Sequence, residues 1–512
     1  MQVVLPLEVE KRIGTDESLW QLLEITERMD YSKLYATYGR QAKADEPTPR
    51  QMFQLVILGF MTGRYSTRQL ESACRHDIRF MYILGGKRVP DHNSFWRFIK
   101  RHLQGAVAEA LFYQLVRLLK DQGEVDFAHA FIDGTKWEAN ANRYSFVWAK
   151  STTRYETRLD EKMSALLAGF ELEYALCGNP QGPQAWLDAL LGIKQARQIQ
   201  FVYGRGKRKT QLQRDVESLK ALLLRKGKYQ DYGKAFKGRN SFSKTDRDAT
   251  FMRLKEDHMK NGQLKPAYNL QLAVEGEYIV GVDISSECSD QTTLLPFLDR
   301  MAAGCGQRHE CIVADAGYES EENYLGAQAR GQLAYIKPQN YEKSKTRKYR
   351  TNAYLHENMP YHEATDTYTC PAGHPFVHIC EKTRKSKTGY EATLSVYECF
   401  ACAGCAQKAL CTRAQGNRQL ALSKSFAAMR AQMRERITSE QGKLLRLNRS
   451  IQSEGVFGIL KQDYGFRRFL RRGKENVFTE MLLYAMAYNA NKLHNKRMRQ
   501  VTGCTIHALS SA

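Results

Sequence analysis

Apolar residues recur at helical spacing through about the first 125 positions and then give way to short apolar runs ending in acidic or glycine-containing segments. That pattern predicts a helical N-terminal region followed by a mixed α/β body. Thr48-Pro49-Arg50-Gln51 joins an N-cap residue, a proline at the first helical position and a glutamine at the third, so a helix is expected through Met61. Ser66-Thr67-Arg68-Gln69 opens another in the same way. After Gly85-Gly86, the turn Pro90-Asp91-His92-Asn93 precedes a segment with Phe95, Trp96, Phe98 and Ile99 on one side and Arg97, Lys100 and Arg101 around it. This suits a helix-turn-helix DNA-binding unit; by pattern alone it suits a plain helical bundle equally.

Residues 127–133 read as a strand ending at Asp133, where Asp-Gly marks a turn. From 146 to 264 the chain is helical and highly charged, with a Pro/Gly break at 178–183 and a basic linker at 204–209. YNLQLAV and YIVGVDIS, separated by Glu275-Gly276-Glu277, predict a hairpin. Another strand leads to Asp315, a helix follows, and LAYIKP supplies one more strand. Glu454 and Lys461 are seven residues apart and would share one face of a helix. No internal repeat of solenoid period is present.

Charge changes the picture. The chain has 512 residues, enough for several domains, and 77 Lys+Arg against 55 Asp+Glu give a net +22, which favours a polyanionic partner. Basic clusters lie at 205–209, 343–350, 467–472 and 496–499. Each alone reads as a solvated surface; together they favour a nucleic-acid track. No apolar run approaches the roughly 20 residues that span a bilayer, and charges come too early for a secretory signal. A cytoplasmic, nucleoid-associated protein with reduced thiols is therefore expected.

Six of the twelve cysteines nevertheless fall between Cys370 and Cys411. Cys402-Ala403-Gly404-Cys405 forms a CxxC knuckle, with Cys370 before it and Cys411 after it, a set able to close a tetrahedral structural zinc site. The expected ligands are Cys370, Cys402, Cys405 and Cys411, with Cys399 or His374 as alternates and Cys380 as a spare. Ordinary burial without metal is the rival reading. Cys74, Cys177, Cys288, Cys305, Cys311 and Cys504 lack such spacing and are expected to pack as small apolar residues.

Asp133, Asp315 and Glu454 are three carboxylates on separate segments, the arrangement that two divalent metals require for in-line phosphoryl displacement. At IDGTKWEANANRYSFVW, YNLQLAVEGEYIVGVDISSECSDQTTLLPFL, VADAGYESEENY and RSIQSEGVFGILKQDYGFRRFLRRGKENVFTEMLLYAMAYNANKL the chain resembles the DDE-class insertion-sequence transposases, and among them the insertion-sequence 1182 family. The resemblance covers most of the chain. It implies a catalytic triad of Asp133, Asp315 and Glu454 holding two Mg²⁺, for which Mn²⁺ substitutes, with Arg449 and Lys461 as basic companions that contact DNA phosphates. A neighbouring family's Tyr-x2-Arg-x3-Glu-x6-Lys signature fits only in its Glu-x6-Lys half, since Leu447 and Ser450 occupy the Tyr and Arg positions.

The implied architecture is mixed α/β. A helical DNA-binding domain (1–125) precedes an RNase H-like core in three parts (126–145, 265–345 and 426–512, the last carrying Glu454). A helical basic insertion (146–264) and a small zinc-ribbon-like insertion (346–425) separate those parts. The implied function is binding of terminal inverted repeats in double-stranded DNA, Mg²⁺-dependent cleavage and strand transfer to target DNA, by a homodimer or higher oligomer. The rivals are a domesticated transposase that binds DNA without cutting, and an RNase H-like nuclease without strand transfer.

Among competing acids, Asp283 and Asp290 are expected to be structural or supporting groups, with Asp290 in reserve; Asp246 and Asp248 precede the hairpin. Trp137 and Trp148 are expected to pack in the core rather than stack on bases. Tyr464, Phe466 and Phe469 interleave with Arg467, Arg468, Arg471 and Arg472, which fits a DNA-end contact and core packing equally. Asn489 and Lys492 are expected to be fold elements. Arg97 and Lys100 are the expected base-reading contacts of the N-terminal domain.

Overall fold

The computed structural model describes residues 12–15, 17–39, 43–175, 180–254 and 262–503. Cys177 and Cys504 lie outside the described residues. Two compact units divide the chain, one of Met1–Thr135, Asn269–Arg471 and Glu475–Ala512, the other of Lys136–Tyr268 and Arg472–Lys474.

In the first unit the expected N-terminal helices form. Thr48 and Ser66 close capping boxes with Gln51 and Gln69, and helices Pro49–Met61 and Thr67–His76 follow. Each box satisfies backbone N–H groups that have no partner within the helix. The segment after Asp91 is a short helix, His92–Arg97, continuing as a π-helix over Phe98–His102. Phe95, Phe98 and Ile99 are buried as expected, but Trp96 is 48% exposed, on the side of Arg97 and Lys100. One position along a helix turns a side chain by about 100°, enough to carry Trp96 off the buried stripe.

The sheet of this unit is built from β1 (His129–Glu138) and β2 (Leu264–Glu275), as far as they lie in the unit, with β3 (Tyr278–Ser285), β4 (Cys311–Ala314) and β5 (Leu333–Ile336). Their spatial order is β3-β2-β1-β4-β5. β2 and β3 form the expected antiparallel hairpin, turning at Gly276 and Glu277 with φ of 56° and 72°. Two successive left-handed residues match the twist of the strands they join. β1 pairs in parallel with β4, and β4 with β5 through the helix Glu321–Ala329.

β1 corrects the sequence expectation. The strand does not end at Asp133 but runs to Glu138, so Asp133-Gly134 is extended backbone rather than a turn. The glycine answers a close approach: a Cβ there would meet Gln271 Nε2 at 2.7 Å, Tyr318 Oη at 2.9 Å and Asp290 Oδ1 at 3.0 Å.

The helix Lys474–Met498 covers the hairpin. Asn489, fully buried, donates to Ile279 O at 2.8 Å and accepts from Ile279 N at 2.9 Å, supplying the partner that an edge strand lacks. Lys492 pairs with Glu277 at 2.7 Å. Both are fold elements, as expected.

Residues 361–422, also in the first unit, form a five-stranded antiparallel sheet in the order Arg418–Leu422, Glu391–Cys399, Pro375–Lys385, Thr367–Thr369, Tyr361–His362. Its small core consists of Met359, Cys370, Phe376, Tyr397, Cys399, Cys402 and Leu420.

The second unit carries the expected charged helices, Ala149–Tyr174, Pro183–Ala196 and Gln211–Phe236, packed around Phe170, Trp186, Leu190, Val216 and Leu219. Short strands accompany them: Phe146–Trp148 pairs with Ser241–Ser243, and Thr250–Arg253 with residues 264–267. Trp137 is buried. Asp246 accepts the Tyr268 hydroxyl and the Gly473 amide, and is a fold element.

Candidate active site and cysteine cluster

Ile132 of β1 pairs with Ala314 of β4, so the next residues along these parallel strands, Asp133 and Asp315, stand at neighbouring positions on the sheet. Asp133 is 9% exposed and Asp315 is half-buried. Asp315 Oδ1 accepts the Gly317 amide at 2.8 Å and caps the 3-10 turn Ala316–Tyr318.

A third acid, Asp290, lies in the same place. Its Oδ1 accepts from Asn269 Nδ2 at 2.6 Å and Gln271 Nε2 at 3.2 Å, and Gln271 Oε1 in turn accepts the Tyr318 hydroxyl. Burial, then the nearby carboxylates of Asp290, Asp133 and Asp315, hold the Tyr318 phenol far above its ordinary range, with Arg449 acting the other way. Tyr318 therefore remains a neutral donor. Arg449, on the helix Glu440–Gln462, places Nη1 3.4 Å from Asp133 Oδ2, and that nitrogen is buried without a hydrogen bond. Asp133, Asp290 and Asp315 thus share the surroundings of Tyr318 with one guanidinium, and among the described residues no three of their kind are gathered to hold a metal ion.

Glu454 lies on the same helix five residues beyond Arg449, about 140° further round it, and is exposed. Among the described residues it is not one of the groups gathered at Asp133 and Asp315. Lys461 is half-buried in the last turn of that helix. Arg449, expected at DNA phosphate, stands instead against a carboxylate.

Asn269, Gln271 and Tyr318 were not singled out from the sequence. A signal was available in YNLQLAV, where two amides alternate along an otherwise apolar strand and are both fully buried. Buried amides require partners, and these two share Asp290. Asp283 pairs with Arg300 at 3.3 Å.

The basic clusters divide. Arg467, Arg468 and Arg472 are exposed, although Arg472 Nε donates to Asn140 O at 2.7 Å. Arg471 departs from the expected phosphate track. Its guanidinium lies near buried Glu480, which also accepts the amides of Leu470 and Arg471 at 2.9 and 3.0 Å. Burial pushes the Glu480 carboxyl up to about 7, against the opposing pull of Arg471. Phe466 and Phe469 are buried, Phe466 stacking on Tyr484 at 4.1 Å, so packing rather than DNA accounts for both. In the 496–499 cluster Lys496 is buried against Glu124 at 3.1 Å and Arg497 pairs with Glu24. Arg97 and Lys100 are exposed, with Lys100 Nζ 4.7 Å over the Trp96 ring. Arg205, Lys207 and Arg208 of the second unit are also exposed.

The cysteines of the five-stranded sheet converge. A cavity of about 20 Å³ is lined by Cys370, His374, Cys399, Cys402, Cys405 and Cys411. The His374 amide donates to Cys370 Sγ at 3.3 Å and the Arg418 amide to Cys402 Sγ at 3.4 Å. Arg418 Nη1 donates to Cys411 Sγ at 2.9 Å. Cys399 is 2% exposed; burial, with the neighbouring Cys402 and Cys370 thiols, pushes its own thiol up to about 11. Among the described residues no three His, Cys, Asp or Glu side chains stand ready to hold a metal ion. Cys380 is not among the residues that line the cavity. Of the remaining cysteines Cys74, Cys305 and Cys311 are buried, whereas Cys288 is exposed, against expectation.

Residues 369–494 match the family described as "Transposase DDE domain", and residues 7–101 match "Transposase domain (DUF772)". The first match contains the cysteine cavity's residues from Cys370 to Cys411, together with Arg449, Glu454 and Lys461; Asp133 and Asp315 lie outside both. No curated protein matches the chain. No helix among the described residues is long and apolar enough to cross a membrane. Two transposase domains in one chain indicate a transposase of the DDE class.

Proposed function

We propose that this chain is a DNA transposase of the insertion-sequence 1182 type that binds terminal inverted repeats, cleaves a phosphodiester and joins the freed 3′-hydroxyl to target DNA. The observation that carries the reading is the neighbouring placement of Asp133 and Asp315 on parallel strands, in a chain with two transposase-domain matches. The order β3-β2-β1-β4-β5, an antiparallel hairpin on one side of β1 and parallel strands on the other, supports an RNase H-like core.

The donor type suits hard divalent ions: carboxylate oxygens, buried at Asp133 and half-buried at Asp315, with the Arg449 guanidinium standing 3.4 Å from Asp133. Asp133, Asp315 and Glu454 would hold two Mg²⁺, or Mn²⁺ in their place. Bound there, the ions would supply an activated water and Lewis-acid stabilisation of the leaving oxygen. Asp133 and Asp315 present the carboxylates, and Arg449, 3.4 Å from Asp133 Oδ2, would turn its guanidinium to a phosphate. Glu454 stands exposed on the helix that carries Arg449 and would complete the set only by turning toward Asp133 and Asp315.

The cavity's thiol donors, two of them accepting backbone N–H groups, fit one structural zinc. Cys370, Cys402 and Cys405 would be ligands, with Cys399 or His374 competing for the place of Cys411, which Arg418 engages. Arg97, Lys100, Lys461, Arg467, Arg468 and Arg472 would contact DNA, and a homodimer or larger assembly would hold two ends in a cytoplasmic, nucleoid-associated complex.

The test is a nicking assay on inverted-repeat DNA. Asp133→Asn should abolish Mg²⁺-dependent cleavage while end binding persists, because the group holds metal rather than DNA. Full cleavage by this variant would sink the assignment.

A further inference from the structure

We propose that Asp290 is a positioning residue of the acidic centre, setting the placement of Asp315 relative to Asp133 through the Gln271 amide and the Tyr318 hydroxyl. The inference rests on the cation-binding reading of that centre and names what fixes its geometry.

Asp290 stands between β3 and the helix Leu294–Cys305, in a turn closed by Thr293, whose amide and hydroxyl donate to Asp290 O at 3.1 and 2.8 Å. Its side chain is thus presented from a stiff backbone. Oδ1 receives the two amides of β2, Asn269 at 2.6 Å and Gln271 at 3.2 Å, both fully buried. With its nitrogen committed to Asp290, Gln271 can offer only its oxygen to the Tyr318 hydroxyl.

Tyr318 is the last residue of the turn that Asp315 caps, so orienting the amide orients that turn. The path passes β1 at Gly134, where a Cβ would stand 2.7–3.0 Å from Gln271, Tyr318 and Asp290. Asp290 Oδ2 in turn lies 3.2 Å from where a Cβ on Gly317 would be. Two glycines therefore leave room for one carboxylate, whose Oδ1 is already engaged by two amides. Groups that orient metal ligands commonly change metal affinity by about 10–100-fold when removed.

The probe is Mn²⁺ titrated into the full chain, with free ion read by electron paramagnetic resonance, and Asp133→Asn as the reference. Asp290→Ala should raise the half-saturating Mn²⁺ concentration by about 10–100-fold. Tyr318→Phe, which removes one hydroxyl and guards against simple misfolding, should raise it by a smaller factor. Asp290→Asn keeps an oxygen that can accept both amides and should recover most of the affinity. Wild-type affinity in Asp290→Ala overturns the proposal. So does Asp290→Asn as damaged as Asp290→Ala, since the charge itself would then hold the ion. Wild-type binding no tighter than that of Asp133→Asn removes the cation centre and this inference with it.

Discussion

The acidic centre and the cysteine sheet are both places where a metal is expected, and they are built in opposite ways. Around Asp133 and Asp315 most polar groups are held by the protein: Asp290 accepts the Asn269 and Gln271 amides, Gln271 accepts the Tyr318 hydroxyl, and Gly134 leaves them space, while Asn269 Oδ1 and Arg449 Nη1 are buried without a hydrogen bond. Around the cysteines little else is available. Three of the seven buried residues in that core are the thiols Cys370, Cys399 and Cys402. An ion that visits a finished site can exchange, whereas an ion that replaces a core becomes part of the fold. The first arrangement suits chemistry on a passing substrate; the second suits structure.

The strongest way to break this contrast is to remove a thiol. Cys402→Ser should lose about one zinc per chain and unfold residues 346–425, because structural zinc contributes on the order of 10 kcal/mol or more in small domains. Metal analysis together with limited proteolysis checks it. A zinc-free wild type with the same protease resistance as the variant would make the cluster ordinary packing and erase the difference between the regions.

These two regions were also unequally legible. The capping boxes at Thr48 and Ser66, the hairpin at Gly276 and the strand leading to Asp315 were readable because each depends on neighbours in sequence. The length of β1 was not, because Asp133-Gly134 looks like a turn locally and becomes strand only through Gln271, Tyr318 and Asp290. The five-stranded sheet escaped for another reason. Pro375–Lys385 is largely exposed and polar, and in Glu391–Cys399 the buried residues Ser395, Val396 and Tyr397 are consecutive, so neither shows the alternation that marks a half-buried strand. Arg471 read as a DNA contact because its partner Glu480 lies nine residues away across a loop, with no local sign of the pairing. Asp290 carries no local mark of its role, because the two amides it accepts come from Asn269 and Gln271, 21 and 19 residues earlier on β2.

A smaller effect tests how tightly the acidic centre is prebuilt. Gly134→Ala places a methyl under 3 Å from the Gln271 amide and the Tyr318 hydroxyl, so both must shift. Overpacking of this kind typically costs about 1–3 kcal/mol. Denaturant unfolding should register that cost, and cleavage should fall further than stability alone explains, because the displaced groups orient the Asp315 turn. A variant with wild-type stability and cleavage would show that the centre relaxes freely, closer to the cysteine sheet than to a finished site.

The smallest effect separates a site made for a cation from one made for stability. Asp133, Asp290 and Asp315 all act on the Tyr318 phenol, so like charges share one neighbourhood, where the guanidinium that faces them is that of Arg449, paired with Asp133. Asp315→Asn removes one charge while keeping an oxygen to accept the Gly317 amide, and Asn caps helical turns as well as Asp does. The variant should therefore unfold in chelator at the same denaturant concentration as wild type or slightly above it, a gain of up to about 1 kcal/mol for a half-buried charge partly screened by water. Added Mg²⁺ or Mn²⁺ should reverse the order by stabilising wild type alone. Clear destabilisation of Asp315→Asn in chelator would mean that the carboxylate is itself a structural element, and the contrast with the cysteine sheet would not hold at this position.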